Sequence, residues 1–193
     1  QKTKNIIKLF SKVIEKDNVN LFCDIEVGKH ISIKFISENY DAVLLASGAE
    51  IDRKLNIEGE NKKGVISSSE FVGWYNGSPF FKNIFIPKEV KNVVIIGNGN
   101  VALDCARLLA KEDEEFFGSD IMQYSRNTIN NLSIENIYII GRRSPLESKF
   151  TISELREIGE LKSFNACVDF NINELKSMLG NDNLETKIKK NIE

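Results

Sequence analysis

Two groups of residues have the types and spacing to recognise phosphate: Gly97-Asn98-Gly99-Asn100-Val101-Ala102, and Arg142-Arg143. The first fits G-x-G-x-x-A. In that pattern the first glycine permits a sharp turn out of a strand. The second has no Cβ, so a pyrophosphate can approach the backbone, and the small third residue lets the following helix pack closely on the strand. The first-turn N–H groups of the helix have no acceptor within it, and with the positive end of the helix dipole they face an anion. A tight turn that holds nothing could use the same hexapeptide. Its context favours the phosphate reading, because the branched run Val94-Ile95-Ile96 precedes it and a helical pattern over Val101–Lys111 follows.

The arginine pair bears on which dinucleotide is bound. The stretch Asn136–Arg143 ends Ile140-Gly141-Arg142-Arg143, with no carboxylate at its tip. An acidic side chain there accepts hydrogen bonds from the adenine ribose hydroxyls of NAD. Two guanidiniums pair instead with a 2′-phosphate through planar, charge-assisted bonds, and a carboxylate would repel that dianion. NADP(H) is therefore expected over NAD(H). Elsewhere in a chain, an Arg-Arg dipeptide is commonly a solvated surface pair.

The elements that must position these residues follow from periodicity. Asn92–Ile96 and Asn136–Arg143 read as strands buried on both faces of a parallel sheet, as does Tyr40–Ala46. Val101–Lys111 reads as the helix between the first two, which makes a βαβ unit with a long connection. Glu112–Glu135 is expected to be polar and irregular, with Asp113, Glu114, Glu115 and Gly118 in an exposed excursion. Ser67 with Glu70 three residues later marks a helix start, and Asn76-Gly77 with Pro79 marks its end. Lys4–Glu15 and Thr151–Lys162 have helical spacing, whereas Val19–Val27 and Ile31–Ile36 read as strands around Gly28-Lys29. The stretch after Phe170 becomes increasingly polar.

Composition narrows the function classes. With 193 residues, 41% hydrophobic and 28% charged, the chain can build one full domain and part of a second. A net charge of −2 argues against nucleic-acid binding through bulk charge. Cys23, Cys105 and Cys167 are widely spaced, and His30 is the sole histidine, so no structural metal site or dithiol motif is expected.

Four phrases, "YDAVLLASGAE", "GVISSSEFVGWYNG", "VVIIGNGNVALDCARLL" and "IYIIGRRSPLESKFTISELRE", follow one another as in the mitochondrial adrenodoxin reductase family, the ferredoxin–NADP reductases of that type. The resemblance runs from about Phe22 to about Glu157, and "FVGWYNG" and "FTISELRE" are its most specific parts. It implies an α/β fold, a Rossmann-like dinucleotide-binding domain of the glutathione-reductase-like two-domain flavoprotein family, with a remnant of the FAD domain at the N-terminus. It further implies an FAD enzyme in which NADPH passes hydride to the flavin, which then releases single electrons to a [2Fe–2S] ferredoxin. Gly97–Ala102 would cradle the pyrophosphate of NADP(H), Arg142 and Arg143 would bind its 2′-phosphate, and Glu154 would contact the cofactor. Glu154 comes from the resemblance alone; the residues themselves suggest only a helix-surface carboxylate.

The departures from the family set the domain expectation. Neither the glycine turn for FAD nor the closing glycine-rich segment of the family is in this sequence. The chain is expected to be an excised middle: residues 1–50 the end of the first FAD-domain segment, 51–90 a linker with a capped short helix, and 91–193 an incomplete NADP-binding domain. Such a piece is expected to be inactive by itself, to hold NADP(H) weakly and FAD poorly, and to self-associate through unpaired strands or be locally disordered there. A mitochondrial location is inherited from the family. The alternatives are a glutamate synthase small-subunit-like oxidoreductase and a non-catalytic NADP(H)-binding module. Arg142, Arg143, Lys149 and Arg156 lie near one another in sequence, but they do not by themselves define a ferredoxin-docking face.

Overall fold

A computed structural model describes residues 6–48, 52–142 and 147–168. The chain divides into two compact units, Gln1–Glu50 and Ile51–Glu193.

The first unit contains two helices, α1 (Ile7–Ile14) and α2 (Ile33–Asn39). The helical spacing read at its start is realised in α1, none of whose residues is buried. The expected strands are not formed. Between residues 19 and 46 the only β pairing among the described residues is the isolated bridge Val27–Ile31, where the Gly28 N–H donates to the Ile31 carbonyl at 2.7 Å. Local capping outweighs the β-branched run here: Ser32 Oγ accepts the Phe35 N–H at 3.0 Å and starts a helix where Ile31–Ile36 read as a strand. Among the described residues of this unit no strand lies beside Tyr40–Ala46 to ladder with it, and Leu44 is 90% exposed.

The second unit is built around aromatic side chains from a helix that the sequence placed in a linker. That helix, α3 (Ser68–Asn76), opens on a complete capping box. Ser67 Oγ accepts the Glu70 N–H at 3.2 Å, and Glu70 Oε2 accepts the Ser67 N–H at 2.9 Å. It ends at Gly77, whose φ of 85° is a left-handed cap. A Ser67→Ala substitution is expected to cost about 1 kcal/mol in urea denaturation of the chain. Phe71 and Trp74 of α3 form the core with Cys105, Phe116 and Ile129.

The stretch 112–135 is more ordered than its polarity suggested. It holds a 3₁₀ turn, Asp113–Phe116, and the helix α5 (Gln123–Asn130). Phe116 and Ile129 are buried, and Asp113 pairs with Arg126 at 2.6 Å rather than standing free. The Trp74 carbonyl, at the C-terminal end of α3, accepts the Tyr124 hydroxyl at 2.9 Å and the Ser125 hydroxyl at 3.3 Å. Helix α5 hides in the sequence because its mean character is polar and only a few apolar residues mark its inner side.

The βαβ unit is present. Strand β1 (Asn92–Ile96) pairs in parallel with β2 (Asn136–Ile140), in register from Asn92↔Asn136 to Ile96↔Ile140. Helix α4 (Asn100–Ala110) packs against both strands, and α6 (Ile152–Gly159) packs against α4. The strands were expected to be buried on both faces, but the structure corrects this. Val93, Ile95, Ile137 and Ile139 are half-buried, while Val94, Ile96, Tyr138 and Ile140 are exposed on alternate positions. Among the described residues, only one face of this two-stranded sheet is covered.

Candidate functional site

The glycine turn begins as the last bond of the sheet. Beyond the end of β1, the Gly97 N–H donates to the Ile140 carbonyl at 2.9 Å. Gly97 has φ 136°, a conformation strained for any residue with a side chain, so its glycine is required by the turn itself. Gly99 differs. It is extended, with φ −135°, and a Cβ added there meets no atom of the described residues within 4 Å. The packing of the described residues does not require a glycine at this position.

Gly99 caps α4, its carbonyl accepting the Ala102 N–H at 3.0 Å and the Leu103 N–H at 3.2 Å. The N–H groups of Asn100 and Val101 are left without a helix acceptor, as at any helix start. Ala102 is buried and Val101 is half-exposed, so the small third residue is the one that faces inward.

The two asparagines of the turn hold a neighbouring segment. The Asn98 carbonyl accepts the Lys149 N–H at 3.2 Å, and Gly99 forms an isolated parallel bridge with Lys149. Asn100 Oδ1 accepts the Thr151 N–H at 2.7 Å. Thr151 in turn caps α6, its Oγ1 accepting the Glu154 N–H at 3.4 Å. Helices α4 and α6 therefore start beside each other. On the other side of the turn, a Cβ built on Gly141 would sit 3.0 Å from the Asn98 Cβ, which shows how closely the tip of β2 approaches. Arg142 follows that tip directly and is exposed. Arg143, the other half of the pair, lies outside the described residues.

Behind the turn, α4 and α6 share a charge cluster. Arg107 bridges Asp104 at 2.5 Å and Glu157 at 2.9 Å. Burial disfavours the Arg107 charge, but the Asp104 hydrogen bond and the charges of Glu157, Asp104 and Glu154 outweigh it and hold the guanidinium above its ordinary value. Glu154 is half-buried. Burial, then the Asp104 and Glu157 carboxylates, raise its carboxyl above the ordinary range, with Arg107 pulling the other way. Asp104 is thus an ion-paired helix residue.

Of the residues singled out from sequence, Gly97 to Ala102, Arg142 and Glu154 meet around one turn. Sequence reasoning missed the clamp that Asn98 and Asn100 place on Lys149 and Thr151, and the bridge made by Arg107. The spacing of Thr151 and Glu154, which fits a helix cap, is the sequence signal that could have marked where α6 begins. A hollow of about 480 Å³ elsewhere is lined by Lys62, Lys63, Phe80 and Phe85 among others, and contains none of these residues. Among the described residues no group of three or more His, Cys, Asp or Glu side chains could hold a metal ion.

This arrangement offers amides, an open approach and a cation to phosphates, and among the described residues it has no nucleophile with an adjacent base. The chain is 40% identical over 168 residues to the NADPH-ferredoxin reductase FprA of Mycobacterium tuberculosis, a match covering 87% of this chain and 37% of that protein. It is 38% identical over 158 residues to the mitochondrial NADPH:adrenodoxin oxidoreductase of Drosophila melanogaster, covering 82% and 34% respectively. The solved structure of Mycobacterium tuberculosis FprA in complex with NADPH superposes with a TM-score of 0.91 at 37% identity, over 99% of this chain and 42% of that one. The chain thus spans well under half the length of these relatives. The family model for pyridine nucleotide-disulphide oxidoreductases matches residues 2–191, so with this turn, this parallel strand pair and these relatives, the chain belongs to that family.

Proposed function

We propose that the chain is the NADP(H)-binding region of an FAD-dependent ferredoxin–NADP reductase of the adrenodoxin-reductase type. In the whole protein, NADPH would pass hydride to FAD, and single electrons would then go to a [2Fe–2S] ferredoxin. The observation that carries the reading is the 2.9 Å bond from the Gly97 N–H to the Ile140 carbonyl, which sets an open glycine turn beside the strand tip bearing Arg142. NADPH-ferredoxin reductases and NADPH:adrenodoxin oxidoreductases among its relatives support the same chemistry.

NADP(H) fits the residues present. The Asn100 and Val101 amides would face its pyrophosphate, Gly99 would let that group approach, Ala102 would keep α4 close to β1, and Arg142 with Arg143 would pair with the 2′-phosphate. Glu154, at the start of α6, would contact the cofactor. Nicotinamide supplies a hydride directly, so the chain's task is to bind and orient, which accounts for a site without an acid–base pair. The sequence carries no second glycine turn, so these residues do not build a pyrophosphate cradle for FAD.

Residues 1–50 are read as the end of a flavin-domain segment, 51–90 as the connection that carries α3, and 91–193 as the nicotinamide-cofactor domain. A mitochondrial location follows the Drosophila and Bos taurus relatives, whereas the FprA relatives are bacterial.

A Gly99→Ala substitution tests the reading directly, because Gly99 is unstrained and has open space around its Cβ position. The variant is expected to unfold at the same urea concentration as the parent. In calorimetric titration it should bind NADP⁺ at least about tenfold more weakly, the effect of displacing one charge-assisted hydrogen bond. Undiminished NADP⁺ binding by the variant, or none by the parent chain, would remove the reading.

A further inference from the structure

We infer that Lys149 is a further phosphate-binding residue, which places its ammonium against the pyrophosphate at the glycine turn. This inference rests on the dinucleotide reading above.

The backbone of Lys149 is fixed to the turn from both sides. Its N–H donates to the Asn98 carbonyl at 3.2 Å, and it pairs with Gly99 in a parallel bridge. Two residues on, Thr151 is tied to the Asn100 side chain at 2.7 Å. Residues paired across a bridge put their Cβ atoms on the same face. The Cβ of Lys149 therefore stands on the face toward which a Cβ of Gly99 would point. Among the described residues nothing lies within 4 Å of that position. It is the opening through which the second glycine of such a turn admits a pyrophosphate. Lys149 is exposed, and no carboxylate pairs with its ammonium among the described residues.

Chemistry separates this role from that of the arginines. Lysine is a compact charge on a flexible stem, suited to a phosphate oxygen without bidentate geometry. The pyrophosphate is common to NADP⁺ and NAD⁺, so a cation there strengthens both. It adds nothing to the choice between them, which falls to the arginine tip.

The test is titration of the whole 193-residue chain and its Lys149→Ala and Lys149→Arg variants with NADP⁺, NAD⁺ and adenosine 2′-monophosphate, a probe without a pyrophosphate. Circular dichroism would establish that each variant is folded. Lys149→Ala should weaken NADP⁺ and NAD⁺ by the same factor, about five- to tenfold at low salt, with the loss shrinking as salt is raised. Binding of adenosine 2′-monophosphate should not change, and Lys149→Arg should restore most of the affinity for both dinucleotides. Unchanged dinucleotide affinity in Lys149→Ala would overturn the inference, and so would a loss confined to NADP⁺ and adenosine 2′-monophosphate. Failure of the parent chain to bind either dinucleotide would overturn the dinucleotide reading and this inference with it.

Discussion

Replacing Arg142 and Arg143 together with alanine is expected to weaken NADP⁺ binding about a hundredfold while NAD⁺ changes by less than about threefold. The asymmetry follows from where the charge sits. Hydrogen bonds to charged groups are worth about 1.5–3 kcal/mol each, and two guanidiniums on one phosphate supply two or more of them. NAD⁺ lacks that phosphate and has nothing there to lose. Arg142 is exposed at the tip of β2 and next to a glycine in contact range of Asn98, so its removal leaves no cavity and no buried charge. The fold should not change. Parallel titrations of parent and double variant with NADP⁺ and NAD⁺ decide the matter, and equal weakening of both cofactors would remove the 2′-phosphate assignment.

A Trp74→Ala substitution should produce the largest stability loss in the chain, about 3–5 kcal/mol. Trp74 is 3% exposed and sits at the centre of the second unit's core. Its ring lies 5.7 Å from Phe71 and 6.2 Å from Tyr124, joining α3 to α5. Deleting it opens a cavity that rigid neighbours cannot collapse into, and a domain of ordinary stability, about 5–15 kcal/mol, has little margin for that. Trp74 is the sole tryptophan, so its fluorescence follows unfolding of the parent but is lost in the variant. Far-ultraviolet circular dichroism in urea compares the two. A midpoint within experimental error of the parent's would show that the core does not depend on α3.

The same residue shows why position along the chain is a poor guide to position in the fold. From sequence, 51–90 read as a connection with one capped helix, and the cap itself was legible because Ser67 and Glu70 interact within four residues. That Phe71 and Trp74 face inward is settled by α4 and α5, which lie some 30–50 residues further on. The misread strands of the first unit carry the converse lesson. Ile31–Ile36 carries three β-branched isoleucines, but a strand is stable only beside another strand, whereas Ser32 can start a helix with no distant partner.

What the sequence by itself determined was the set of local patterns on which the proposed phosphate reading rests. The G-x-G-x-x-A turn, the branched strand before it, the helix after it and the arginines at the next strand tip are local patterns, enforced by sterics and charge within a few residues. Tertiary structure decided which of those patterns meet. The parallel register of β1 and β2 delivers Ile140 to the Gly97 N–H and so brings residues some 45 positions apart to one turn. It also decided that Asn98, Gly99 and Asn100 hold Lys149 and Thr151, a pairing between segments 50 residues apart that no short-range periodicity encodes. Backbone hydrogen bonds across a sheet edge and a turn depend on chain path, and the path is set only once the core has closed around Trp74.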